Sequence, residues 1–528
     1  GRKTGRRGAD GVANTIATGT RTAPLSRARH YLQRMREDSG SPDPPVALAP
    51  TTGALAGAEA TVALPRVALS EERTARGRAL TFGPVAGRIA LGVVIAGTFA
   101  IVAAASSGPS VLVPRSNEIF PNWESGPLHL VIPRLITDPQ TLGLVFSLVL
   151  LAMLVAYAVV LAAVRSLPLR TIAIAVVALN LILLLSPPMQ LTDLFNYLGY
   201  ARLGALHHLN PYTHVIRQEL FDPVFGFSSW HNLRSPYGPL FIALTYPLAL
   251  VSLPIAYWAV KLATVLLALT VVVLVGQIAR QLGRDPRFPV AFVALNPVFL
   301  IYAVEGFHND FFMLAPMLGA MSLVLARRDR SAGAVLMLAV AVKFTAIILL
   351  PFLLVAAAVR SRRVRVLIGA AATALPLIVL DLALFGFSLP NLSQQSTLLT
   401  GFSVTNVFGL LLGVGGTPLL LKLAAVGVVL VVAHQFYRNR DWIGGAGWST
   451  LALIASLSWL MPWYVVWLLP LAALSTSLNL RRLAAVLTVY LLFAFVPAVA
   501  TYNNQHQINL LNTPAGRASS SLQYKLGH

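Results

Sequence analysis

Residues 173–188 read AIAVVALNLILLLSPP, and after a four-residue spacer residues 193–212 read DLFNYLGYARLGALHHLNPY. The first stretch is hydrocarbon interrupted by Asn180 and, at its end, Ser186, without the inside–outside alternation of a barrel strand. Inside a bilayer a helix satisfies every backbone hydrogen bond of such a run, and Pro187-Pro188 ends it. The second stretch is polar, aromatic and basic, opens on one carboxylate at Asp193, and is followed by SPYGPL at 235–240. A hydrocarbon span thus delivers a single acid, among Tyr, His, Arg and Asn, to a membrane surface. That setting suits chemistry on a lipid-linked polar substrate better than it suits packing.

The rest of the chain follows the same pattern. Of 528 residues 56% are hydrophobic and 11% charged, with a mean hydropathy of +0.72, which excludes a soluble domain of this length and predicts an all-α polytopic membrane protein. The net charge of +21 sits largely in short loops between apolar runs: Arg165 and Arg170, Arg280 to Arg287, Arg327 to Arg330, Arg360 to Arg365, Arg438 and Arg440, Arg481 and Arg482. This is the bias that orients helices with basic loops inside, so the charge reports topology and no nucleic-acid partner is expected. Cysteine is absent, which excludes disulfides, thiolate nucleophiles and Cys-ligated metals. Residues 1–85, rich in Arg, Gly, Ala and Pro without a sustained apolar face, read as a basic disordered cytoplasmic arm attracted to anionic lipid heads.

Loop parity places spans at about 87–105, 141–164, 171–187, 255–279, 288–306, 311–326, 366–385, 416–436, 445–460, 463–477 and 482–499. Residues 332–358 begin and end beside arginines and read as a hairpin of two short helices with Lys343 near its apex. That makes about thirteen membrane segments over 86–500, with 501–528 as an extracytoplasmic tail. Segment 238–252 is short, carries Pro239 and Pro247, and would break the parity as a full crossing; it reads as a re-entrant or interfacial helix on the outer side. The Asp193 run, SPYGPL, His308-Asn309-Asp310 and Met461-Pro462-Trp463-Tyr464 then share one face, predicting one outward-facing cavity in the cytoplasmic membrane.

These motifs carry a resemblance. Asp193-x-x-x-Tyr197, Gly204, Asn210-Pro211-Tyr212 and Tyr237-Gly238-Pro239-Leu240 resemble the first lumenal loop of GT-C fold, polyprenyl-phosphate-sugar-dependent glycosyltransferases. The nearest likeness is to the actinobacterial α-1,6-mannosyltransferases of lipomannan synthesis and to glycosyltransferase family 87. Gly306-Phe307-His308-Asn309-Asp310, Val342-Lys343 and Pro462-Trp463-Tyr464 with Trp467 agree in the same order, over roughly residues 170–475. Phe307 departs from the pattern, standing where a second glycine is common. The resemblance implies a GT-C architecture, and substrate contacts from Tyr197, Asn210, Tyr212, Tyr237, His308, Asn309, Asp310, Trp463 and Tyr464.

Sugar transfer from a lipid phosphate needs a base, an open anomeric face and stabilisation of the departing phosphate; one carboxylate suffices because phosphate leaves without an acid. Asp193 fits the base, with capping of the helix that starts beside it as the bland alternative. Arg202, Arg234, His207 and His208 fit phosphate binding, or else they meet lipid head groups. Lys343 costs ~2.5–3.5 kcal/mol to insert, so it either snorkels or meets the donor phosphate. His308, Asn309 and Asp310 bind sugar hydroxyls, hold a divalent cation with Asp193, or cap the next helix. No metal ligand set is assigned and no cofactor is certain, with a divalent cation as the open alternative. Glu118 and Glu124 read as solvated loop charges, with the base as their alternative role. Asp381 reads as internally paired. Trp459, Trp463, Tyr464 and Trp467 offer rings for sugar stacking or form an interfacial belt.

The expected function is inverting transfer of a sugar, mannose by preference, from a polyprenyl monophosphate to a glycolipid or polysaccharide acceptor on the outer face. The partners are therefore a polyprenyl-phosphate sugar, a glycan or glycolipid acceptor and membrane lipids. A transporter or lipid flippase shares the many spans and broken helices. Within the enzyme class, arabinofuranose is the alternative sugar.

Overall fold

The computed structural model describes residues 82–134, 136–388, 390, 396–438 and 441–527. The basic arm up to residue 81 and Arg440 fall outside the described residues. All regular structure among the described residues is helical. In chain order the principal helices are α1 (Pro84–Ser106), α2 (Pro139–Ala163), α3 (Leu169–Leu184), α4 (Asp193–Ala205), α5 (Pro239–Thr245), α6 (Leu253–Gln281) and α7 (Arg287–Ala294). They continue with α8 (Asp310–Leu325), α9 (Asp329–Val342), α10 (Leu350–Ala356), α11 (Arg360–Phe385), α12 (Val404–Leu411), α13 (Pro418–Arg438) and α14 (Trp442–Ser456). The last four are α15 (Leu469–Leu474), α16 (Leu478–Phe495), α17 (Pro497–Gln505) and α18 (Pro514–Gly527).

Among the described residues six helices are long and apolar enough to cross a membrane: α1, α2 with the turn that follows it, α6, α11, α13 and α16. Their outward residues are apolar and uncovered, Leu423, Val426, Val429 and Leu430 on α13 among them. A helix clothed in hydrocarbon on its open face is stable only against lipid. The protein is an all-α polytopic membrane protein.

The expected spans at 87–105, 141–164, 255–279, 366–385, 416–436 and 482–499 fall within a few residues of these helices, whereas those at 171–187, 311–326 and 445–460 fall on the shorter helices α3, α8 and α14. Residues 288–306, expected as one span, divide into α7 and a wide π turn at Phe299–Val304. Asn296 starts that turn, its side-chain oxygen accepting from the Val298 amide at 2.9 Å. The stretch 332–358 breaks at Lys343, where the turn between two short helices was expected; its extended backbone (φ −153°, ψ 115°) separates α9 from a short 3-10 turn at Phe344–Leu349.

Two close approaches set the depth of this break. A Cβ on Gly333 would stand 1.9 Å from the Val366 carbonyl oxygen, and one on Gly369 the same distance from that of Arg330, so α9 and α11 touch backbone to backbone. At the basic end Arg362 and Arg365 close on the buried Asp329 at 2.7 and 3.0 Å. From that anchor α9 rises fourteen residues to Lys343, about 21 Å at 1.5 Å per residue, while α11 continues well past it to Phe385. Lys343 therefore lies below the far end of α11, inside the bundle. Gly238 lets the start of α5 lie on the end of α9, since a Cβ there would meet the carbonyls of Ala341 and Val342 at 2.3 and 2.5 Å.

Residues 501–528, expected as a tail, include the ordered helix α18. Its Leu526 carbonyl accepts from the Asn232 amide at 2.9 Å, and its Ser519 hydroxyl oxygen accepts from the Leu399 amide at 2.7 Å.

Candidate functional site

The chain breaks converge on one cavity of about 420 Å³. Its wall takes Asp193 and Asn196 from α4, Tyr237 and Gly238 from the entry to α5, and Asn309 and Asp310 from the entry to α8. Lys343 comes from the α9 break, and Trp463, Tyr464 and Trp467 from the 3-10 turn Pro462–Trp467. All four polar motifs of the sequence contribute to it. Helix starts supply the acids because their free N–H groups favour negative charge in the first turn.

Asp193 occupies the first position of α4, after Thr192, and caps nothing. Among the described residues its one cationic or potentially cationic neighbour within ion-pair reach is Nδ1 of His308, 3.2 Å from Oδ2. His308 is buried and its ring lies flat on Trp463, centroids 3.7 Å apart and planes inclined by 15°. Neither His308 nitrogen has a well-formed hydrogen bond; Nδ1 faces Asp193, and Nε2 lies against Gly306. The buried Nδ2 atoms of Asn196 and Asn309 are likewise without partners. Orphaned buried donors carry a desolvation cost of roughly 1–3 kcal/mol each, which a hydroxylated ligand in this cavity would remove.

Asp310 opens α8 and is buried. Its Oδ1 accepts from Lys343 Nζ at 2.7 Å and from the Trp467 indole N–H. Lys343 also stands 4.8 and 5.2 Å from the ring centroids of Trp467 and Tyr464. The lysine neither snorkels nor sits alone; it is an oriented ammonium at the cavity wall. Among the described residues no three His, Asp or Glu side chains converge as a metal site.

Several expected ligands are elsewhere. Arg202 binds Asp222 through Nε at 2.8 and 2.9 Å, and His207 bridges Asp222 at 2.8 Å and Glu219 at 3.2 Å. This loop cluster engages both bases with acids that the sequence did not single out. His208 forms a left-handed turn (φ 56°), and Arg234 is exposed; neither lines the cavity. Tyr197 is buried behind the wall, its hydroxyl accepting the Asn309 amide at 3.1 Å. Asn210 donates to the Phe385 carbonyl at 2.7 Å and Tyr212 to that of Tyr237 at 2.9 Å, so both brace the loop.

Of three further acids, Glu118 is a solvated loop charge as expected, and Glu124 and Asp381 depart from expectation. Glu118 is exposed and paired with Arg115. Glu124, expected in solvent, is 1% exposed because its loop folds under α6, where Tyr257 and Trp258 hold the Glu124 and Trp123 carbonyls at 2.8 and 3.1 Å. Burial pushes its carboxyl up to about 8, partly countered by Lys261. Asp381, expected to be internally paired, has no partner at Oδ1. It lies on the wall of a second, almost wholly apolar cavity of about 250 Å³ between α5, α9 and α11, which shares Phe344 with the first.

Lys261 and Glu305 were not singled out in the sequence, although both are charges inside apolar runs. Glu305 directly precedes the Gly306-Phe307-His308-Asn309-Asp310 motif. Phe307 has φ +50°, which explains the ease of glycine at that position.

Comparison with known proteins gives the family. A family profile described as "Alpha-(1->6)-mannopyranosyltransferase, N-terminal domain" matches residues 90–359, and one described as "MptB C-terminal domain" matches residues 397–513. The chain is similar to Alpha-(1->6)-mannopyranosyltransferase B of Corynebacterium glutamicum, with 25% identity over 56% of this chain and 57% of the relative. It is also similar to Alpha-(1->6)-mannopyranosyltransferase A of Mycobacterium tuberculosis, with 28% identity over 60% of this chain and 67% of the relative. Against the first of these it spans little more than half the relative's length. No solved structure gives a significant match.

Proposed function

Because this chain belongs to the α-(1→6)-mannopyranosyltransferase family, of GT-C type, we propose that it moves a mannosyl group from a polyprenyl monophosphate to a hydroxyl of a glycolipid or polysaccharide. The transfer takes place on the outer face of the cytoplasmic membrane and inverts the anomeric centre. One observation carries this reading: Asp193, unpaired except toward His308, and the oriented ammonium of Lys343 line the same cavity.

The acceptor hydroxyl gives its proton to Asp193 as its oxygen bonds to the anomeric carbon. The bond from that carbon to the phosphate oxygen breaks, and its electron pair leaves with the polyprenyl phosphate. Lys343 meets the growing charge on the phosphate, and Asp310 and the Trp467 indole hold the lysine in place. Attack opposite the leaving group turns a β-linked donor into an α-linked product. Tyr464 and Trp467, stacked 4.5 Å apart, offer an aromatic wall to the sugar. The adjoining apolar cavity past Phe344 suits the first isoprene units, which supports a lipid donor over a soluble nucleotide sugar.

The test is transfer from radiolabelled polyprenyl-phosphate mannose in membranes holding the wild type, Asp193→Ala or Asp193→Asn. Loss in both variants with normal protein levels is expected. Retained transfer in both would remove Asp193 as the base, and wild-type transfer from GDP-mannose alone would remove the lipid donor.

A further inference from the structure

We propose that Glu305, supported by Lys261, is the positioning residue that fixes Asp193 against His308; the inference rests on the proposed sugar transfer and adds residues to it. Asp193 and His308 belong to different loops. Asp193 follows the bend Ser186–Met189 that leaves α3, and His308 lies in the turn between the π segment and α8. Helix contacts alone leave two such loops free to slide by the fraction of an ångström that matters to proton transfer.

Glu305 joins them from behind. It is fully buried, three residues before His308, and its Oε1 accepts from the Ser186 hydroxyl at 3.0 Å while the carboxylate faces the Met189 backbone N–H. One side chain thus ties the start of the bend that leads to Asp193 to the turn that carries His308. The two loops meet twice, once through Glu305 and once through the Asp193–His308 approach.

Lys261, fully buried on α6, completes the clamp. Its ammonium donates to the Ser186 carbonyl at 2.6 Å, so Ser186 is gripped at backbone and hydroxyl together. The same ammonium lies over the rings of Trp258, at 3.9 Å, and Phe307, at 5.0 Å. Phe307 is the left-handed residue of the His308 turn, and its side chain is wholly buried. A glycine there would free the backbone and give up the ring beneath the lysine, so the departure from the family pattern is part of the clamp. A buried lysine near two buried carboxylates, those of Glu124 and Glu305, is costly to keep without a function for it.

The experiment uses the full chain in lipid nanodiscs, comparing wild type, Glu305→Gln, Lys261→Met and the double variant Lys261→Met/Glu305→Gln. Each is assayed for mannosyl transfer, thermal stability and hydrogen–deuterium exchange of peptides covering 186–196 and 305–310. Glu305→Gln is expected to lower kcat at least tenfold with donor KM within twofold, and to speed exchange in those two peptides alone. The double variant, having lost both charges, is expected to regain the thermal stability that Lys261→Met loses but not the kcat. Wild-type kcat in a folded Glu305→Gln or double variant, or unchanged exchange in both loops, overturns the proposal. A wild type that transfers no mannose fails the sugar-transfer reading instead, and the exchange measurement still decides whether Glu305 ties the loops.

Discussion

The Nδ1 atom of His308 lies 3.2 Å from the Oδ2 atom of Asp193, and Trp463 supports the histidine ring from below. This is a short reach between groups on separate loops, and it orients the carboxylate without consuming its other oxygen.

Replacing Asp193 by Asn keeps the shape and removes the proton acceptor. Transfer is expected to fall about 10²–10⁴-fold, the usual worth of a general base. His308→Phe keeps the stack on Trp463 and removes the ring nitrogens, so kcat is expected to drop roughly tenfold or more while the melting temperature holds. Initial rates at saturating donor and a thermal melt in detergent check both. A His308→Phe enzyme with unaltered kcat would reduce the approach to a packing contact.

Lys343 and Asp310 make a second separable prediction. Removing one partner of a largely buried pair leaves the other charge unmatched, at a cost of about 3–5 kcal/mol. Lys343→Met and Asp310→Asn are each expected to melt well below the wild type. The double variant removes both charges and is expected to recover much of that stability. It is not expected to recover transfer, because no ammonium remains to meet the leaving phosphate. Recovered transfer would show that Lys343 serves the fold alone.

Asp193, Lys343 and Asp310 were legible in the sequence for one reason: each is a rare charge beside a helix end in an apolar chain. The four motifs could be placed on one face because loop arginines fixed the parity. What escaped depends on partners distant in sequence. Arg202 and His207 resemble phosphate ligands until Asp222 and Glu219 fold beside them. Lys261 and Glu305 are isolated charges in separate spans, and they acquire meaning only where α6 passes behind the His308 turn. Helix α18 is too polar overall to stand out in an apolar chain and is held by Asn232 and Leu399. The interruption at Phe299–Val304 had a signal in Asn296-Pro297, a turn-forming pair inside an otherwise apolar run.

Glu124 gives the fold a pH dependence of known sign. Its carboxyl is raised by burial to about 8, so from the ordinary carboxylate range up to about 8 the folded chain holds a proton that the unfolded chain has released. Stability therefore falls as pH rises through that window, by about 1.4 kcal/mol per unit at most, and levels off above it. Glu124→Gln is expected to flatten the dependence of melting temperature on pH between pH 5 and 8 and to melt higher than the wild type above that range. Parallel curves for the two proteins would show that Glu124 does not titrate in this way.

Arg202 separates a structural charge from a ligand. Burial alone would raise the Asp222 carboxyl, but hydrogen bonds from Arg202, His207 and the Val224 amide outweigh it and hold the group below its ordinary value. A lowered acid adds stability that is present above its unfolded pKa and is lost as pH falls toward the folded value. The loop over 206–235 is therefore expected to loosen below about pH 4. Arg202→Gln leaves Asp222 with His207 as its one basic partner; it is expected to lower the melting temperature at pH 7 and leave donor KM unchanged. Limited proteolysis of the loop and donor titration read the two effects separately. A tenfold rise in donor KM with no loss of stability would instead place Arg202 on the phosphate.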